Sequence, residues 1–218
     1  LIEYRGSDKV DSIKLMVDSG ASHALLLDPE EDETIIIPEE RIETNLGKGL
    51  GGNINGQIGR IKGFQLNDLS FNEVLASYHD PGIYNKNIKR GSRSGTLGGD
   101  ILSRINPIFD YINGYMYYYK GKRYKNGFIF DMSGMQITAY GPNLKLAIIN
   151  SVREDSPAYE AGIRGGDIIK KFNGDNIQNI LLTKIYTSLR KKPGAKIKMK
   201  IVRNGIELKK CFRLRKLI

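Results

Sequence analysis

The feature that most constrains this chain is the punctuation of residues 156–205. Cap and turn residues there recur so closely that the segments between them have few choices left. Ser156-Pro157-Ala158 places a hydroxyl that can cap a helix directly before a proline suited to the first helical position. Gly162 can end that short helix in the left-handed conformation. Gly166-Asp167 turns the chain into the apolar run Ile168–Phe172, and Asn173-Gly174 suits a tight hairpin turn. Residues 181–189 have the spacing of an amphipathic helix, with Pro193-Gly194 as its stop. Lys196-Ile197-Lys198-Met199-Lys200-Ile201-Val202 alternates strictly, which predicts a strand with its lysines outward. Asn204-Gly205 then turns it into a last strand.

Composition divides the chain at the same place. Residues 1–127 carry 16 Lys and Arg against 17 Asp and Glu, a net charge of −1; residues 128–218 carry 18 against 7, a net charge of +11. This predicts two domains, 1–127 and 128–218. A basic domain can attract anionic partners, but the alternating lysines have no interleaved exposed aromatics. A solvated basic face is therefore expected, with no nucleic acid as partner. No apolar run is long enough to span a membrane, so no transmembrane segment is expected. Cys211 is the only cysteine, which excludes an internal disulfide. His23 and His79 are the only histidines and stand far apart in sequence, so no metal or other cofactor is expected. The chain opens at Leu1 without a methionine, and a piece or mature product of something longer is expected.

The first domain reads as short strands separated by Gly, Asn and Asp. An apolar strand over residues 13–17 leads into Asp18-Ser19-Gly20-Ala21. A carboxylate reached by a buried strand is costly unless it has a task, and a tight turn with a hydroxyl neighbour makes Asp18 a candidate acid/base. The plainer alternative is a turn carboxylate. An acidic segment, residues 30–43, is expected as an exposed loop around a short Ile35-Ile36-Ile37 strand. Gly47-Lys48-Gly49-Leu50-Gly51-Gly52-Asn53 matches the dinucleotide fingerprint formally but has no following helix to bind phosphate. A glycine-rich hairpin fits it better. Leu97-Gly98-Gly99-Asp100 precedes a short helix, and a strand ending in Asp110-Tyr111 follows. The aromatic run Tyr115-Met116-Tyr117-Tyr118-Tyr119 is read as packing surface.

Two resemblances follow. The strand, Asp18-Ser19-Gly20-Ala21, the glycine hairpin and Leu97-Gly98-Gly99-Asp100 come in the order of the retropepsin-like aspartic proteases, over roughly residues 10–120. The resemblance implies a mainly β fold, a closed retropepsin-like β-barrel. It implies Asp18 as a catalytic carboxylate and Ser19, Gly20 and Ala21 as the active-site loop. Gly49, Gly51, Gly52 and Asn53 fall in the flap; Leu97, Gly98 and Asp100 support the loop, Asp100 as a structural or helix-capping carboxylate. Residues 156–174 resemble a PDZ domain of the bacterial type, a small sheet with two short helices. That resemblance implies binding of a peptide or protein C-terminus by Ser133, Gly134, Met135 and Ile137, the last two facing the 181–189 helix. Together they imply an aspartic endopeptidase, exported to the periplasm or cell surface, whose substrate is a peptide or protein. The alternative is a non-catalytic peptide-binding protein with an inert protease-like domain. Such proteases use two aspartates. No second Asp-Ser/Thr-Gly occurs here, since Asp131-Met132-Ser133-Gly134 has an extra residue, so the other carboxylate is expected from a second copy or another lobe. A serine triad built on the adjacent Ser22 and His23 is disfavoured, because triad members lie apart in sequence.

Overall fold

The computed structural model describes residues 1–4, 10–49, 52–82 and 93–218. The chain divides into two compact units, Leu1–Phe128 and Ile129–Leu217. In the first, one eight-stranded sheet is built from β1 (Ile2–Glu3), β2 (Val10–Asp11), β3 (Leu15–Val17), β4 (Leu25–Leu27), β5 (Arg41–Gly49), β6 (Gly52–Leu66), β7 (Leu69–His79) and β8 (Gly95–Leu97). Its order is β2-β1-β6-β7-β4-β8-β3, with β5 paired to the first half of β6. The expectation of a mainly β fold holds, and the sheet curls into a half-barrel that ends at β2 and β3. Long β6 and β7 bury Ile61, Phe64, Leu69, Phe71 and Val74, which share one core with Leu25, Leu27 and Leu97.

A short helix, α1 (Gly99–Leu102), buries Ile101 and Leu102 in that core and leads to the hairpin of β9 (Ile105–Asp110) and β10 (Tyr115–Lys120). The hairpin is less buried than its composition suggests. Tyr118 packs against the core, whereas Tyr115, Tyr117 and Tyr119 point outward. No strand forms over Ile35-Ile36-Ile37: Ile35 reaches the core, and the next two stay partly exposed, held by turns after Pro29.

The second unit is a six-stranded antiparallel sheet of β11 (Met135–Tyr140), β12 (Leu146–Val152), β13 (Ile168–Phe172), β14 (Asp175–Asn176), β15 (Lys196–Arg203) and β16 (Ile206–Arg213), in the order β11-β12-β13-β15-β16 with β14 beside β13. Two short helices, α2 (Pro157–Glu160) and α3 (Leu182–Leu189), flank it. The turn residues act as their chemistry predicts. Ser156 Oγ accepts the Tyr159 N–H at 3.3 Å and caps α2. Asn173-Gly174 and Asn204-Gly205 hold positive φ at both turn positions, which matches the twist of the hairpins they close. Asp167, fully buried, takes two bonds from the Arg203 guanidinium, at 2.6 and 2.7 Å, and one from the Arg164 N–H. A buried carboxylate so paired ties β13 to β15.

Candidate active site and peptide groove

Asp18 is placed by a crossing of three strands. β8 runs between β3, parallel to it, and β4, antiparallel to it, so Leu97 stands opposite both Val17 and Leu25. The Asp18 N–H donates to the Leu97 carbonyl at 3.0 Å, the Gly98 N–H to Ala24, and the Gly99 N–H to Ala21 at 2.7 Å. Contact at this platform is too close for side chains. A Cβ at Gly98 would lie 2.2 Å from the His23 carbonyl oxygen, and one at Gly99 2.9 Å from that of Ala21. Glycine is required here for approach rather than for φ. The loop then folds on itself: Asp18 Oδ1 accepts the Gly20 N–H at 2.8 Å. Asp100 does not cap α1, whose N-cap is Gly98 without a side-chain bond. It pairs instead with Arg104 at 3.2 Å and Arg123 at 3.8 Å. Arg104 is itself buried, its guanidinium 3.7 Å from the Phe128 ring centroid.

Asp18 is half-buried at a cleft of about 610 Å³. Gly20, Ala21, Ser22 and His23 line it beside the carboxylate, while Leu46, Gly47 and Ile54 of the β5–β6 hairpin also line it. The register shifts between Asn45 and Gly47, where Gly47 takes φ 144°. Beyond it Lys48 pairs with Asn53 and Gly49 with Gly52. Gly51 lies outside the described residues. Burial lowers the titration of His23, and the nearby Asp18 charge opposes this.

A second pair in this cleft has no local signal in the sequence. His79, ending β7, places Nε2 3.2 Å from Asp28 Oδ2, just beyond β4, and both side chains are buried. The His79 Nδ1 lies 3.1 Å from the Asp80 carbonyl. Glu30, on the surface, brings a third donor, and the three ligand atoms lie within 4.8 Å of one another. Of the described residues these are the group able to hold a cation. They come together because β4 and β7 are parallel neighbours, a pairing of residues 51 apart that no local motif signals.

In the second unit Ser133, Gly134, Met135 and Ile137 do lie on one loop and strand, with Met135 and Ile137 buried and α3 alongside. The groups expected to receive a ligand are already engaged. The Ser133 and Gly134 N–H groups donate to Asp131 Oδ1 at 2.9 and 2.8 Å, and the Met135 N–H to Ser133 Oγ at 3.1 Å. Tyr186 of α3 bonds both the N–H and the carbonyl of Ile137, each at 2.9 Å.

The aspartyl protease family profile matches residues 5–101, and the PDZ domain profile matches residues 132–210. No protein of curated function matches. Among solved structures, the photosystem II D1 C-terminal processing protease is 19% identical over 39% of this chain, at a TM-score of 0.35; the chain spans 23% of that protein's length. The PDZ domain of HtrA3, bound to a phage-derived ligand, is 18% identical over 40% of this chain and 88% of its own, at a TM-score of 0.35. The HtrA-type protease AlgW with a decapeptide is 17% identical over 83% of this chain and 62% of its own, at a TM-score of 0.40.

Proposed function

We propose, from a first domain similar to aspartyl proteases and a second similar to PDZ domains, that this chain is an aspartic endopeptidase whose second domain binds peptide. The observation that carries the reading is the placement of Asp18. Its loop rests on the Leu97-Gly98-Gly99 platform, and its carboxylate lines a cleft shared with a glycine-rich hairpin. In this chemistry two carboxylates share one proton and hold a water between them. One takes the water's proton as the oxygen attacks the peptide carbonyl, and the other donates to the carbonyl oxygen. Like charges so close do not both ionise, so the pair titrates as a unit.

Asp18 supplies one half. The other comes from a second copy of the chain or from another lobe. The edge beside Asp18 supports such a partner: among the described residues β3 ends the sheet, and its Met16 and Val17 are 37% and 41% exposed. An exposed apolar edge strand is a template for pairing with another chain. One observation favours the non-catalytic alternative. Asp28, the other carboxylate lining the cleft, is held by His79 and so is no ready partner for Asp18.

Cleavage of a quenched fluorescent peptide library separates the readings. Activity should be blocked by a statine-type transition-state mimic and lost in Asp18→Asn. Equal cleavage by both forms defeats the aspartic assignment. A rate rising with the square of protein concentration identifies a second copy as the donor of the other carboxylate.

No helix among the described residues is long and apolar enough to cross a membrane.

A further inference from the structure

The groove beside β11 is filled by the domain's own polar groups, and the filling is chemically specific. β11 ends its sheet, paired on one edge to β12. The opposite edge presents the Ile137 N–H and carbonyl, the groups a bound strand would use. A single hydroxyl takes both: Tyr186 Oη accepts from the N–H and donates to the carbonyl. Just before the strand, three successive N–H groups form the kind of concave cradle that binds an anion. Two of them hold one oxygen of Asp131, which also accepts the Ser133 hydroxyl at 2.7 Å, and the third holds Ser133 Oγ. Asp131 is 8% exposed, and its Oδ2 is buried and makes no hydrogen bond among the described residues.

A ligand's terminal carboxylate would have to use these same N–H groups while lying against the Asp131 carboxylate, and adjacent like charges without water strongly disfavour each other. We propose that the groove selects peptide segments without a terminal carboxylate, internal stretches or neutral-ended chains, because Asp131 stands where that carboxylate would sit. Tyr186 has to turn away from Ile137 before a strand can be added. The inference rests on reading this unit as a peptide-binding PDZ domain, and it specifies the ligand that the unit takes.

The test uses the whole chain and a pooled hexapeptide library with an apolar last residue, prepared as free acids and as C-terminal amides, with binding read by fluorescence polarisation. The wild type binds the amides at least as tightly as the acids. Asp131→Asn keeps the acceptor oxygen, removes the charge and shifts preference toward the acids by about tenfold or more. Tyr186→Phe frees Ile137 and tightens binding of both forms without changing their ratio. A wild-type preference for the acids of tenfold, or an unchanged ratio in Asp131→Asn, overturns the proposal. If all three proteins ignore both pools, the peptide-binding reading falls and takes this inference with it.

Discussion

Two aspartates in this molecule begin almost the same way and end in opposite states. Asp18 and Asp131 each precede a serine and a glycine, and each accepts a backbone N–H from two residues further on. Asp18 holds that one bond among the described residues and remains half-buried at a cleft. Asp131 gathers three donors on one oxygen and is sealed from solvent. The extra residue in Asp131-Met132-Ser133-Gly134 accounts for part of this, because it lets the Ser133 hydroxyl and the Gly134 N–H reach the same oxygen. The rest is support from below. Strand β8 holds the Asp18 loop from behind and leaves its open side to the cleft, whereas the Met132 N–H bonds the end of α3 and draws the Asp131 loop inward. A carboxylate with spare hydrogen-bonding capacity facing a cleft can do proton chemistry. One whose capacity is spent on its own loop shapes that loop.

Neutralising each aspartate in turn tests whether their roles are divided in this way. Asp18→Asn should lower peptide cleavage by at least about a hundredfold, the scale of a lost acid/base group, with its melting temperature little changed. Asp131→Asn should leave cleavage at Asp18 intact. Equal loss of cleavage in both would show that the two carboxylates are not divided into chemical and structural roles. The next largest effect belongs to the glycines beside them. Gly98→Ala drives a Cβ against the His23 carbonyl, and Gly134→Ala drives one within 2.2 Å of Ser156 at φ +80°. Each should cost about 2–3 kcal/mol in chemical denaturation. Only Gly98→Ala should also reduce cleavage, because its clash is transmitted straight to the Asp18 loop.

How much of this was legible from sequence differs between the same two regions. The second unit announces itself locally, since Ser156-Pro157, Gly162, Asn173-Gly174 and Asn204-Gly205 each demand a conformation that few other residues adopt. The Asp131 turn was also within reach, because a side-chain acceptor two and three residues before free N–H groups is a local pattern. Reading Ser133 and Gly134 as receiving a peptide C-terminus overlooked that Asp131 already holds their N–H groups. Tyr186 on Ile137 and His79 on Asp28 join residues 49 and 51 apart, and nothing short of the sheet order places them together. In the first unit Asp18 and its glycine platform were readable as an ordered set. Asp100 looked like a helix cap and turned out to be an ion-pair partner, because Arg104 one turn later offers it more than the helix end does. The outward tyrosines of β10 show the limit of composition: alternation in a two-stranded hairpin exposes one face unless something else covers it.

A smaller effect should separate the aspartates by pH. Burial raises the titration of Asp131 above its ordinary value of 3.8, outweighing the bonds from Ser133 and Gly134 that pull it down. The folded state therefore holds this proton more tightly than the unfolded one. The stability it contributes is complete below the ordinary value and is lost as pH rises through the raised one, at no more than about 1.4 kcal/mol per pH unit. Thermal melting of the second unit should fall across that window in the wild type and stay flat in Asp131→Asn. A parallel fall in both would assign the trend to other groups.

The smallest effect concerns the loop of Asp18 itself. Ala21 lines the same cleft and has no hydroxyl to offer the carboxylate, whereas Asp131 has Ser133 for that purpose. A hydroxyl donating to a carboxylate favours its charged form. Ala21→Thr should therefore shift the acid limb of the pH–rate profile toward lower pH by about one unit or less, the scale of one added hydrogen bond, with the maximum rate nearly unchanged. The wild type should work best at a less acidic pH than its variant. A wild-type profile that already peaks at strongly acidic pH, or one that the added hydroxyl does not move, would mean that the charge on Asp18 is held by groups other than those of its own loop.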